Sequence, residues 1–160
     1  MPVNNSIVTN LDKEHLNYYG SFSKLKDSFR YFIKKTPSIG KSIICIDDKN
    51  LRSLVNQCKK VNFLTYGFNK KSNYQIVGVI KKNNYSIFDL KIKLKNEKIK
   101  NIKNIQVNLL GDHNIKNATA SIAVASDIGI KINTIKRALK KFSGIQRRFT
   151  KVFSQGSKEF

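Results

Sequence analysis

The spacing of apolar residues changes partway along the chain, and this change limits the folds open to it. Between residues 22 and 33 apolar side chains recur at helical spacing, which predicts a helix packed on one face. Between residues 88 and 94 they alternate with charged residues, which predicts a strand with one solvated face. The chain therefore combines helices with strands.

The first part of the chain alternates between short strands and helices. Apolar runs at 6–9, 42–46 and 62–66 predict strands, and helical patterns at 22–33 and 50–60 separate them. Pro37 and Gly40 end the first helical pattern. Because short strand–helix–strand units form parallel sheets, we predict an α/β fold whose parallel sheet is covered by helices.

A β-rich section follows this alternation. Three strand-like segments lie at 74–82, 85–95 and 105–111. The turn sequence "KKNNY" separates the first two, so we predict an antiparallel section between about 74 and 110. The lysine-rich segment 95–104 is predicted to be a connection, and helices are predicted at about 114–128 and 132–142, the second with Phe142 on its inward face.

The formal net charge of +21 raises the question of nucleic-acid binding. Only five of the 31 basic residues are arginine, although the arginine fork is the side chain that phosphate and base recognition favours. Lysine, asparagine and isoleucine, which share A/T-rich codons, are abundant together. A biased genome explains that pattern, so nucleic acid is not the expected partner.

The cysteines and the N-terminal segment indicate the cellular compartment in which the protein is expected. Cys45 and Cys58 are too few and too far apart for a metal cluster, so we expect reduced structural thiols. The segment "MPVNNSIVTN" lacks the basic and apolar regions of a signal peptide, and no apolar run approaches the roughly 20 residues of a membrane span. We expect a cytoplasmic protein without a membrane partner.

The segment "GDHNIKN" is the strongest candidate for a binding site. Gly111 can end the preceding strand with an unusual backbone angle, and Asp112 is predicted to be the N-cap of the next helix. Asn114 and Asn117 are three positions apart and share one face of that helix. Their amides could pair with an adenine edge, or could satisfy local backbone groups near the helix start.

Motifs near both ends of the chain resemble those of the Mur ligase family. "GDHNIKN" resembles the family's Gly-x-His-Asn segment, and "SGIQRRF" resembles its Gly-(Val/Ile)-x-x-Arg-Phe segment. Upstream, "TNLDKEH" and "PSIGKSIICIDD" resemble the Thr-Asn-x-Asp-x-x-His and Pro-x-x-Gly…Cys-x-Asp-Asp patterns of the same central domain. The resemblance runs from about residue 6 to residue 153 and is greatest for the branch that uses L-alanine.

The resemblance implies an ATP-dependent ligase of peptidoglycan synthesis, and hence of cell-wall formation. Such an enzyme activates the carboxylate of UDP-N-acetylmuramate as an acyl phosphate, and the amine of L-alanine then displaces phosphate. Magnesium and cationic groups stabilise the charge that develops. ATP and Mg²⁺ are the implied cofactors, and UDP-N-acetylmuramate and L-alanine the implied substrates of the full enzyme.

The resemblance also implies roles for particular residues. Asn114 and Asn117 would face the adenine of ATP, with His113 beside them, and Arg148 would reach the phosphates. Arg147, next to it, has a weaker match to the motif.

The resemblance also implies roles for residues of the upstream motifs. His15 matches the family's magnesium-ligating histidine, and Asn10, in the same loop, could face the reacting groups. Asp47 and Asp48 could form a catalytic carboxylate pair, although a strand end that caps the following helix is the simpler interpretation.

The chain also departs from the family pattern. It has no glycine-rich phosphate loop of the form Gly-x-x-Gly-Lys-(Ser/Thr). We therefore interpret it as an internal piece of a ligase that is inactive alone. Residues 1–146 would form the C-terminal part of the central ATP-binding domain, and residues 147–160 would begin the next domain.

Two alternatives remain open. The first is the related ligase that recycles a tripeptide onto UDP-muramic acid. The second is a basic, non-catalytic module that binds nucleotides or RNA, for which binding would depend steeply on salt.

Overall fold

One mixed sheet of six strands organises the chain. The structure is a computed structural model, and it describes residues 4–13, 16–58 and 60–144, with the backbone of 154–155 and 158–159. In chain order the elements are β1 (Ser6–Val8), α1 (Leu16–Tyr19), α2 (Phe22–Lys34), β2 (Ser42–Cys45), α3 (Lys49–Gln57), β3 (Phe63–Gly67), β4 (Tyr74–Lys81), β5 (Ser86–Ile92), β6 (Lys100–Val107), α4 (Asp112–Asp127), α5 (Ile132–Lys141), β7 (Ser154–Gln155) and β8 (Lys158–Glu159).

The first three strands form the parallel half of the sheet, as predicted. Ile43 of β2 pairs in register with Ile7 of β1 and Leu64 of β3, and every residue of β2 is buried. Burial on both faces is what a parallel strand covered by helices requires.

Helices α2 and α3 begin at side-chain caps. Ser21 accepts a hydrogen bond from the Lys24 amide at 3.2 Å at the start of α2, which buries Leu25 and Ile33. Asp48 caps α3 in the same way. Each cap satisfies backbone amides that have no partner inside the helix.

The antiparallel half is a continuation of the same sheet rather than a separate one. Tyr66 and Gly67, at the end of β3, pair in parallel with Tyr74 and Gln75, at the start of β4. The chain then runs antiparallel from β4 to β5 and from β5 to β6. Two reversals give β6 the direction of β1, but β6 is offset along that direction: through Gln75 and Lys91, its residue Asn101 is level with Gly67 at the end of β3, and β6 continues to Val107.

The prediction of a connection at 95–104 was wrong in its second half. β6 begins at Lys100, which pairs with Ile92, and Asn101 and Ile102 continue the ladder. The first half of β6 is mostly exposed, so its residues carry little apolar signal and its pairing depends on backbone hydrogen bonds. Lysine is common on edge strands because its charge discourages pairing with other chains.

Helix α4 covers the sheet through a stripe of small and branched side chains. Ile115, Ile122 and Ala123 are fully buried, and Ile135 of α5 joins the same core. None of the helices within the described residues is long and apolar enough to cross a membrane.

Candidate functional site

Gly111 forms the turn between β6 and α4. Its backbone angles are φ 94° and ψ 145°, a region that residues with a Cβ rarely adopt. A Cβ built at Gly111 would lie 2.8 Å from Cε1 of His113. Only glycine therefore lets the His113 ring lie against the turn.

The prediction that Asp112 is the N-cap of this helix was wrong. Gly111 occupies the cap position without a side-chain hydrogen bond, and Asp112 is the first helical residue. The turn needs a positive φ at the cap, which glycine adopts and aspartate rarely does. Asp112 instead pairs with Lys81 at 2.9 Å and lies near the positive end of the helix dipole.

Asn114 makes the kind of local backbone contact that asparagines often make at a helix start. Its Nδ2 donates to the carbonyl of Leu110 at 2.7 Å. This bond fixes the orientation of the side-chain amide. Its Oδ1 can still accept a hydrogen bond from another group. Asn117 lies one turn further along the helix and is exposed.

His113, Asn114 and Asn117 lie together on the wall of one cavity of about 500 Å³. The apolar part of its lining comes from the end of β6, from α4 and from α5: Val107, Leu109, Ala118, Ala138, Leu139 and Phe142. Ser121, Ser143 and Gly144 complete it. A cavity of this size, mostly apolar with a few polar groups, is typical of small-molecule sites.

Sequence reasoning missed the part of the cavity lining that Phe142 supplies. Phe142 was predicted to pack on the inward face of α5, but that helix ends at Lys141 and Phe142 follows it with extended backbone angles. The residue therefore leaves the helical face and lines the cavity instead. The one signal in the sequence for the end of the helix is Gly144, because glycine permits a sharp change of chain direction. Its φ is 94°.

Asp47 and Asp48 have structural roles at the carboxyl ends of the parallel strands. Asp48 accepts from the amides of Asn50 (2.8 Å) and Leu51 (2.9 Å) at the start of α3. Asp47 accepts from the amides of Phe68 and Asn69, both at 2.9 Å. These contacts confirm the capping interpretation for Asp48 and show that Asp47 anchors the loop after β3.

Asn10 lies after β1 at the same edge of the sheet. Its side chain accepts from Thr9 Oγ1 at 2.9 Å and donates to Asp12 Oδ2 at 2.6 Å. It lines a separate cavity of about 380 Å³ beside α2. Since β1 and β6 are five strand spacings apart, roughly 24 Å across the sheet, Asn10 does not contact the cavity beside α4.

The Gly-Lys-Ser sequence at 40–42 is not a phosphate loop. Such a loop joins a strand to the helix that follows it, whereas Gly40 and Lys41 precede β2. Lys41 pairs with Asp127 at the end of α4, and the Ser42 hydroxyl is buried at 2.8 Å from that of Ser6. These residues lie at the amino end of the parallel strands, away from the cavity.

The remaining candidates, His15, Arg147 and Arg148, lie outside the described residues. Within the part of the chain that the structure describes, no group of three or more His, Cys, Asp or Glu side chains could hold a metal ion.

The chain is similar to known proteins along its whole length. The family described as "Mur ligase middle domain" matches residues 1–125. The UDP-N-acetylmuramate–L-alanine ligase of Pelagibacter ubique is 49% identical over 160 residues, which is 100% of this chain and 34% of that protein. The enzyme of the same name from Bartonella henselae is 35% identical over 96% of this chain and 33% of its own length. The chain thus spans about a third of the curated relatives it matches.

Solved structures share its fold. The UDP-N-acetylmuramate–alanine ligase MurC of Thermotoga maritima superposes with a TM-score of 0.74 at 22% identity, over 96% of this chain and 32% of that one. MurF of Acinetobacter baumannii superposes with a TM-score of 0.77 at 17% identity, over 98% and 32%. These likenesses agree with the predicted α/β class.

Proposed function

The chain belongs to the Mur ligase family, and from that premise we propose that it holds the adenine end of ATP in an enzyme that joins L-alanine to UDP-N-acetylmuramate. The observation that carries the proposal is the position of His113, Asn114 and Asn117 on one largely apolar cavity at the start of α4. Residues 1–146 would belong to the ATP-binding domain and residues 147–160 to the next. The 49% identity to an alanine-adding ligase supports the choice of substrates.

The cavity offers adenine both of the interactions that it needs. Leu109, Leu139 and Ala118 present apolar surface to the faces of the ring. Asn114 uses one of its two amide N–H groups on Leu110, and its Oδ1 can accept from the exocyclic amine of adenine. A 6-oxo purine would instead bring an acceptor to this oxygen.

The remaining contacts with ATP involve residues outside the described part of the chain. Arg148 would contact the phosphates, and His15 would help to hold Mg²⁺, which stabilises the charge on the transferring phosphoryl group. His15 alone cannot hold that ion, because magnesium prefers several oxygen ligands. Among the described residues, Asn10 would lie toward the reacting groups, after the carboxyl end of β1.

Nucleotide binding by the isolated chain tests the proposal. Without a phosphate loop the expected Kd for ATP is roughly millimolar, and we expect ligand-observed NMR to show weaker binding of GTP. Asn117→Ala should weaken binding of ATP and of uncharged adenosine. Asn133→Ala, an exposed site on α5 away from the cavity, should not. Equal binding of ATP and GTP by the wild type would contradict the proposal.

The same titration separates the proposal from a basic module that binds nucleotides or RNA. Binding through phosphates alone weakens steeply as salt rises, because counterions are released. Adenosine carries no phosphate, so its affinity should hardly change with salt if the base is recognised. Family membership favours the ligase over this alternative.

A further inference from the structure

Phe142 is a large apolar side chain left exposed beside the cavity. Its amide donates to the carbonyls of Ala138 (3.1 Å) and Leu139 (3.2 Å), which fixes the residue at the end of α5. The side chain nevertheless remains 46% exposed. Exposed aromatic surface in a cavity wall is surface that a ligand can remove from water.

The segment around Phe142 is braced against the end of β6. A Cβ built at Gly144 would lie 3.1 Å from Cδ2 of Leu109, so the chain passes close to that side chain. Phe142 and Leu109 line the cavity together with Asn117 and Ser121 of α4. The lining therefore combines aromatic and aliphatic surface with hydrogen-bonding groups.

We propose that Phe142 is the stacking surface for the base of the nucleotide in this cavity, an inference that rests on the proposed function. A planar heteroaromatic ring is the class of ligand that can contact the apolar surface and the hydrogen-bonding groups at once. Its face would cover the phenyl ring, while its edge would reach the amides of Asn114 and Asn117. A sugar or an amino acid has no such face.

The absence of tryptophan from the sequence permits a direct optical test. Phe142→Trp places a single indole in the cavity wall, and Tyr18→Trp places one on α1 at a site that is 86% exposed and outside the cavity lining. Adenosine should quench the emission of Phe142→Trp saturably, and ribose should not. The emission of Tyr18→Trp should stay constant. Adenosine binding, detected by NMR, without any change in the Phe142→Trp emission would overturn the proposal.

A pair of affinity variants tests the same point without a probe. Phe142→Tyr keeps the aromatic face and should bind adenosine as the wild type does. Phe142→Leu keeps an apolar side chain but loses that face, and should bind roughly tenfold more weakly. Circular dichroism of both variants checks that they fold. Equal affinity in the leucine variant would defeat the stacking role alone, whereas a wild-type chain that binds no adenosine would defeat the proposed function and the inference with it.

Discussion

At the scale of single residues, the conformation of Gly111 and the position of His113 depend on each other. Gly129 offers a matched comparison, because its φ of 86° is also positive but a Cβ there would have nothing within 4 Å. Alanine at either position bears a backbone penalty, and the penalty is larger at Gly111, because its ψ of 145° lies in a region that almost only glycine adopts. Only alanine at Gly111 would also push against the imidazole ring.

We therefore predict that Gly111→Ala lowers the free energy of unfolding more than Gly129→Ala does. Urea denaturation of both variants measures the difference. Adenosine binding should weaken in Gly111→Ala alone, since His113 lines the cavity. Equal losses of stability in the two variants would contradict the prediction.

A second residue-scale prediction concerns Tyr66, which is fully buried. Among the described residues its hydroxyl is buried without a hydrogen-bond partner, whereas the hydroxyl of Tyr74, its neighbour in the sheet, lies near Ser126 and is not such an unpaired buried group. Tyr66→Phe removes an unpaired buried polar group, so it should raise the free energy of unfolding by about 1 kcal/mol. Tyr74→Phe removes no unpaired buried group and should give no such gain in urea denaturation.

The same hydroxyl makes stability depend on pH. Burial raises the pKa of Tyr66 above its ordinary value of 10.0. Above about pH 10 the unfolded chain therefore loses this proton while the folded chain retains it, and stability falls as pH rises. The alkaline loss should be smaller in Tyr66→Phe than in the wild type, as thermal unfolding between pH 8 and about 11 would show. Identical pH profiles would argue that the hydroxyl is hydrated in solution.

At the scale of elements, two irregularities in the antiparallel half meet at Asp89. The register shifts between β4 and β5 near Gly78, and again between β5 and β6 near Asp89. Gly78 and Asn104 have φ of 59° and 56°, and the Asn104 amide donates to Asp89 Oδ1 at 2.8 Å. Bulges of this kind bend and twist strands.

Asn104 should therefore resist substitution more than an ordinary strand residue does. Asparagine tolerates positive φ better than alanine, so Asn104→Ala should cost about 1 kcal/mol. Asn101→Ala, on the same strand with regular pairing to Lys91, is the control and should cost little. Chemical denaturation of the two variants gives the comparison, and a larger effect at Asn101 would contradict it.

The elements also differ in how far their sequences predicted them. Helix α2 and strand β2 were predictable because burial imposes a period or a continuous apolar run on the sequence. The first half of β6 was not predictable, because backbone pairing at a solvated edge leaves no apolar pattern in the sequence. The shared position of Asn114 and Asn117 at the start of α4 was predictable from their spacing, and their contact with adenine stays a prediction. The wall that contains Phe142 was not predictable, because it depends on where α5 ends, and helix ends are poorly encoded locally.

At the scale of the whole molecule, the polar loops that follow β1 and β6 lie far apart on the sheet. The cavity beside α4 lies near the end of β6, and the loop of Asn10 lies five strand spacings away. Phosphoryl transfer depends on positioning and on charge stabilisation along the whole triphosphate. Contacts at the adenine end affect binding equally in the ground and transition states, so they contribute to KM rather than to kcat.

Two expectations follow for activity. The 160-residue chain alone should release no phosphate from ATP in the presence of UDP-N-acetylmuramate and L-alanine, because its sequence contains no glycine-rich cradle for the β- and γ-phosphates. We expect activity from a chimera in which this chain replaces the matching third of the Pelagibacter ubique ligase. That ligase is 49% identical to the chain. In that chimera Asn117→Ala should raise the KM for ATP more than it lowers kcat, while Asn133→Ala should change neither. Steady turnover by the isolated chain would overturn the interpretation that the chain is inactive alone. An Asn117→Ala effect confined to kcat would mean that the reacting groups lie much closer to α4 than the sheet geometry indicates.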